Sequence, residues 1–289
     1  MKHVGKLLPT PLNINDKRWY FLSIFYAREN WAILIAHIIH FYQERKNQFC
    51  SLLISFSEEK GEHIQVIFVS FLNNDNYLYE IQTYFQTFVD QNPSVIKIQL
   101  FYKKTVWDNL SNNNTLIPNN TLTWNKFMLS HYSEQYICFH QKTIDVALKL
   151  AADDFSADSF LSLGIYLLVK GFWIVRGKRK NVLSQTRHEI SANIENNIIN
   201  EVNELIKDKI DISDVCETIE FYINENNNEY SPELINWLNA VNNFLKYYDY
   251  THFCFFTCKI IGLNILHQVM ILELMNIWYN NRQGLLQKV

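Results

Sequence analysis

The sequence predicts an α+β fold, with an N-terminal mixed sheet and packed helices over about residues 17–140 and a mainly helical part over about 141–289. Three observations carry this expectation. Between residues 18 and 90 the apolar spacing switches between the two-residue period of a strand and the 3.6-residue period of a helix. From residue 184 onward helical spacing dominates. Glycine (7 of 289) and proline (5) are too scarce for an architecture of many tight turns.

The elements follow in order. Arg18 to Tyr26 is aromatic and apolar, the composition of a strand. From Asn30 to Gln43 the period changes: Trp31, Leu34, Ile35, Ile38, Phe41 and Tyr42 fall on one helical face. Ser51 to Phe56 and His63 to Phe71 read as a hairpin joined by the polar turn Ser57 to Glu62. In the second strand His63, Gln65, Ile67, Val69 and Phe71 share one face and Ile64, Val66 and Phe68 the other, so apolar residues on both sides predict a central, covered strand. Tyr77 to Asp90 is predicted helical and is stopped by Asn92-Pro93, because the residue before proline avoids the helical region. Ser94 to Tyr102 returns to strand character, and Trp124 to Leu129 is expected to pair across a polar loop at 109–120.

Farther along, Thr143 is read as the cap of a helix running to about Lys170. Four helices follow: Ile190 to Lys209, Val215 to Ile223, Pro232 to Tyr248, and Thr251 to Tyr279. Two apolar stretches call for a membrane check. Phe160 to Val175 is short of the roughly twenty residues a span needs and contains Lys170, while Phe253 to Leu272 carries Lys259, Asn264, His267 and Gln268. Both read as buried helices, with no membrane partner.

Charge and thiols narrow the partners. With 26 Lys+Arg against 29 Asp+Glu, the chain has no general basic character, and its one compact basic run, Arg176 to Lys180, reads as a solvated turn; no nucleic-acid partner is expected. Five widely spaced cysteines without a CxxC, and no apolar signal core at the N-terminus, point to reduced thiols and a cytoplasmic protein. Cys254 and Cys258, four apart beside His252 and among phenylalanines, are expected in the core rather than on a metal. No cofactor is implied, since there is no glycine-rich phosphate loop and no cluster of metal ligands.

The order of segments resembles the small, elimination domain of lantibiotic dehydratases and the related thiopeptide-type bacteriocin biosynthesis proteins. That resemblance treats the whole of 1–289 as one such domain and covers about Arg18 to the C-terminus. It rests on the Trp-containing strand Arg18 to Tyr26, on Ser51 to Phe56, and on His63-Ile64-Gln65-Val66-Ile67-Phe68 in place of a His-Leu-Arg-Leu-Arg-Phe-like strand. Tyr132 to Ile137 stands for a Tyr-x-x-Glu-x-x-Arg-Tyr-Gly-Gly-like run, Phe155 to Ser159 for a Phe-x-x-Asp-Ser ending, and Cys258 to Gly262 loosely for an Asn-Arg-containing helix.

The resemblance implies maturation of a ribosomally synthesised peptide, by elimination of glutamate from glutamylated Ser or Thr. Such chemistry needs a base for a weakly acidic proton and cationic groups for the developing enolate and the departing carboxylate. This chain keeps His63 as the candidate base, but Gln65 and Ile67 replace two arginines of the family strand. Ile137 stands where a further arginine would be, Phe139 and His140 replace the glycine pair, and Phe255 falls near an expected histidine. Gln65, Glu134 and Lys259 are the candidate substrate-binding residues. Each also has an ordinary reading: His63 as a strand-start histidine, Glu134 as a surface carboxylate, Asp158-Ser159 as a loop pin, and Lys259 as a snorkelling side chain.

Three functions stay open at this level. The chain still eliminates glutamate, runs another reaction such as cycloaddition on dehydrated peptide, or serves as a non-catalytic subunit. Its partners would be the leader and core of a precursor peptide and a separate glutamylating subunit. An unrelated adaptor with Trp107, Trp124 and Tyr132 lining a protein groove is the alternative from another class.

Overall fold

A computed structural model describes residues 12–14, 17–58, 60–70, 76–95, 117–124, 133–151, 154–175, 181–192, 194, 196–225 and 230–286. The chain divides into two compact units, residues 1–131 and 132–289.

The first unit contains β1 (Leu12–Ile14), β2 (Lys17–Phe25), α1 (Trp31–Glu44), β3 (Ser51–Ser57), β4 (His63–Ser70), α2 (Asn76–Gln91) and β5 (Thr121–Trp124). Every pairing among the described strands is antiparallel, which narrows the expected mixed sheet. β4 lies between β2 and β3, while β1 and β5 share the other side of β2, β1 along Lys17 to Trp19 and β5 along Leu22 to Phe25. The order β5-β2-β4-β3, with α1 joining β2 to β3 and α2 following β4, is that of a ferredoxin-like split βαβ sheet.

The alternation expected for 63–71 holds over β4 and sets the core. Ile64, Val66 and Phe68 face the helices together with Tyr20, Leu22, Ile24, Ile54 and Phe56. Trp31 of α1 stacks on Phe56 at 5.2 Å, and Phe41 meets Phe68 edge-on at 5.3 Å. Across the helix pair, His37 lies between the rings of Tyr84 (4.7 Å) and Phe88 (4.1 Å), and Arg45 bonds Glu80 at 2.6 Å. Burial pushes the His37 pKa down. α2 ends where Asn92-Pro93 was expected to stop it. The strand expected over 94–102 lies almost wholly outside the described residues, as do Trp107, Tyr132 and the run 176–180.

The second unit is helical: α3 (Glu134–Ala151), α4 (Ala157–Val175), α5 (Val182–Ser191), α6 (Asn196–Lys209), α7 (Ile212–Asn224), α8 (Pro232–Phe244), α9 (Tyr250–Ile260) and α10 (Ile265–Leu286). Three expectations are corrected. Thr143 caps nothing: it lies inside α3, buried, donating to the Phe139 carbonyl at 2.8 Å and accepting from the Trp237 indole of α8 at 3.1 Å. The helix expected to run to Lys170 is two helices, because Asp154 turns the chain by accepting from the Ser156 N–H at 3.0 Å and from the Ser159 hydroxyl. This also gives Ser159 the loop-pinning role. Thr251 to Tyr279 is likewise two helices. Gly262 at φ +78° closes α9, and the Leu263 N–H bonds back to Cys258 O at 2.8 Å, a Schellman stop. The span from Ile190 to Lys209 also divides, between α5 and α6.

α4 is the one described helix long and apolar enough to cross a membrane, but it packs inside this unit, with Leu167, Leu168 and Val169 fully buried. Its Lys170 is 4% exposed and holds Glu225 at 2.9 Å, and it also donates to the Tyr230 hydroxyl at 2.5 Å. The Tyr166 hydroxyl donates to the same carboxylate at 2.9 Å, and its own pKa is driven up by burial and by Glu225. Cys254 and Cys258 are core residues, as expected, with thiols that burial makes harder to ionise; Cys258 is pushed up to about 12. Cys138, on α3, is exposed.

Two stability effects follow. Glu225→Gln strands the buried Lys170 ammonium and is expected to cost about 3 kcal/mol, whereas Lys170→Met, which removes the buried charge, costs less; urea unfolding midpoints order the two. Gly171→Ala would raise helix propensity, yet its Cβ would meet Phe253 Cε1 at 2.2 Å. It is therefore expected to lower thermal stability by about 1–3 kcal/mol rather than raise it.

Candidate functional site

The sheet face opposite α1 and α2 carries the candidate residues. Antiparallel partners share a face, so the register places Phe25, His63 and Ser57 in one row across β2, β4 and β3, and Ser23, Gln65 and Ser55 in the next. β5 extends both rows with Thr121 and Thr123. Phe21, Ile67 and Leu53 form an apolar row behind them.

Along β4 every residue is buried except Gln65, which is half-buried in mid-strand. Its cross-strand neighbours Ser23 and Ser55 are 1% and 7% exposed. The sheet face is therefore closed along its length and open above Gln65.

His63 sits beside that opening. It is 3% exposed and on a central strand, so the reading as an exposed edge histidine is corrected, while the hydrogen-bonded one holds. Its ring stacks on Phe25 at 4.4 Å. Nδ1 lies 2.8 Å from Gly61 O, and a carbonyl only accepts, so Nδ1 carries the proton and donates it there. In the neutral ring Nε2 then holds the lone pair, 3.4 Å from the Gln65 amide nitrogen, which donates toward it. The turn therefore sets the tautomer of the candidate base and aims its basic nitrogen along the row.

The turn is itself tightly held. Gly61 adopts φ +122°, a conformation other residues avoid, and a Cβ there would press on Ile117 O at 3.3 Å. Gly61 N–H bonds Glu58 O at 3.1 Å, Ile117 N–H bonds Lys60 O at 2.8 Å, and Tyr26 N–H bonds Glu62 O at 3.1 Å. The Glu62 carboxylate accepts the Arg28 N–H at 2.8 Å. The Arg28 guanidinium pairs with Glu58 and lies 4.9 Å from the centre of the Trp31 ring. Burial raises the Glu62 pKa, opposed by Arg28.

The other two candidates belong to the helical unit. Glu134 is exposed in the first turn of α3, where its charge suits the helix N-terminus. The preceding Ser133 accepts from Tyr136 N at 3.2 Å and contacts the Tyr248 hydroxyl at 3.0 Å. Lys259 is exposed in the last turn of α9, with its ammonium 5.9 Å from the Phe255 ring centre. Phe139 and His140 are fully buried in α3. Trp124 donates to Gln82 at 2.6 Å within the first unit.

Ser23, Ser55, Arg28, Glu58 and Glu62 escape a reading of the sequence. A serine inside each of the apolar runs Tyr20-Phe21-Leu22-Ser23-Ile24-Phe25 and Leu52-Leu53-Ile54-Ser55-Phe56 was a visible signal, but only the register aligns them with Gln65. Among the described residues no group of three or more potential ligands could hold a metal ion.

No family model matches the chain, and no curated protein matches it. Among solved structures it is similar to the pyridine synthase TbtD from thiomuracin biosynthesis, with a TM-score of 0.57 at 10% sequence identity over 93% of this chain and 99% of that one. The likeness is one of fold.

A pH effect follows from Glu62. A carboxyl whose folded pKa is raised contributes stability that is complete below its unfolded pKa of about 4.3 and is lost as pH rises through the folded value. Glu62→Gln should therefore gain stability relative to the unaltered protein as pH rises from 4 to 7, measured as the difference in urea midpoint at each pH.

Proposed function

We propose that this protein takes part in the maturation of a ribosomally synthesised peptide, acting on an already dehydrated chain by orienting two groups for ring closure rather than by expelling glutamate. The observation that carries this reading is the uncharged floor at the one open position of β4: Gln65 flanked by serines, beside a neutral, tautomer-fixed His63. A departing glutamate would need a cation there. Arg28, at the same end of the sheet, is already engaged by Glu58. The fold shared with a pyridine synthase supports the same direction.

A ring-forming step asks for less charge. Holding two reacting groups in line converts their encounter into an intramolecular event, which can supply much of the acceleration. His63 Nε2 would accept or share a proton as the ring forms, and Gln65 would donate to a substrate carbonyl. The partner would be the precursor peptide, leader and core together. Glu134 and Lys259, exposed at opposite ends of α3 and α9, would contact the peptide outside the reacting centre.

The test compares two peptides by tandem mass spectrometry. Dehydrated precursor should gain a crosslink that removes fragmentation between the joined residues, and His63→Ala should slow this by about 10²–10⁴-fold. Glutamylated precursor should show no loss of glutamate. Glutamate loss at a comparable rate would reverse the assignment, and peptide binding without conversion of either substrate would leave a non-catalytic subunit.

A further inference from the structure

The row Ser55, Gln65, Ser23 and Thr123 has a chemistry of its own. It crosses four strands at one level of the sheet. At about 4.8 Å per strand it spans roughly 14 Å, the length of a short peptide segment. All four side chains are uncharged, and each both donates and accepts hydrogen bonds. Serine packs poorly inside a strand, where β-branched and aromatic residues are favoured, so two buried serines in register on either side of the only half-open position of β4 form an unusual floor. The neighbouring row of Phe21, Ile67 and Leu53 is wholly apolar and buried.

We infer that this row is a subsite for an uncharged, amide-bearing segment with small, flat side groups, such as consecutive dehydrated residues of a peptide. It deepens the reading proposed above and rests on it for the identity of the peptide. An amide presents one donor and one acceptor, which the row can match along its length. A carboxylate or an ammonium would enter a face whose four polar groups carry no compensating charge, and a charge so placed is costly. The apolar row behind gives a planar side group a surface to lie on. Ser23, Ser55 and Thr123 are thereby specificity-determining residues, selecting neutral substrate by hydrogen bonding where a cationic pocket would select anions.

The full-length protein, labelled with ¹⁵N, is titrated with N-acetyl-dehydroalanine methylamide and, separately, with N-acetylglutamate. The diamide is expected to shift the backbone resonances of Ser23, Ser55, Gln65 and Thr123, with N-acetylglutamate leaving them in place. The double variant Ser23→Ala/Ser55→Ala should weaken diamide binding about tenfold, for two lost neutral hydrogen bonds. Thr123→Val, on the edge strand, gives a second reading should the double variant unfold, with a loss of about threefold. Ser23→Thr, which keeps the hydroxyl, should retain most of the affinity. Shifts from N-acetylglutamate equal to those from the diamide, no shifts from the diamide, or unaltered affinity in folded variants would each overturn the subsite. Diamide binding at this row together with an inert dehydrated precursor would instead remove the ring-forming reading and leave the subsite standing.

Discussion

The register between β2 and β4 is the constraint on which the candidate site depends. Ser23 opposite Gln65 and Phe25 opposite His63 define which side chains share the open face. A slip of one residue would carry Ser23 to the helix-covered side and bring Leu22 or Ile24 to the opening. The register is secured from both sides of the sheet. Trp31, Phe41 and Phe68 lock the covered face against α1, and the Glu58–Glu62 turn is tied to the end of β2 through Tyr26 and Arg28. The aromatic core and the site are therefore two consequences of one alignment.

The tie between turn and strand explains how a histidine can be buried and still have a defined chemical role. Gly61 serves two purposes: its left-handed backbone makes the turn, and its carbonyl takes the Nδ1 proton of His63. The ring is then clamped by Phe25 on one face. A base held in this way loses little freedom when a substrate arrives, which is the preorganisation that catalysis by orientation requires.

Much of the first unit was legible in the sequence because its signals are local. The Trp31-to-Phe41 stripe, the double-faced apolar strand at His63 and the stop at Asn92-Pro93 each act within a few residues, and each appears within a residue or two of its expected place. His63 and Gln65 were visible as neighbours on one strand face for the same reason. What could not be read is what depends on pairing between distant segments. Ser23 and Ser55 acquire meaning only through the alignment with Gln65, and Arg28 only through the turn it meets. In the helical unit the errors have a different origin. Continuous apolar periodicity across Ser156 and Gly262 masked two helix ends that are set by a side-chain cap and by a single positive φ.

The distribution of thiols has a practical consequence. Cys254 and Cys258 are sealed in the core, Cys50 and Cys216 are half-buried with thiols that burial makes reluctant to ionise, and Cys138 stands exposed on α3 one turn beyond Glu134. A maleimide dye added sparingly to the unmodified chain would therefore settle chiefly on that one sulfur. The helical unit comes with its own attachment point for a spectroscopic reporter, close to a residue suggested to meet the peptide, and no cysteine need be engineered to watch an encounter there.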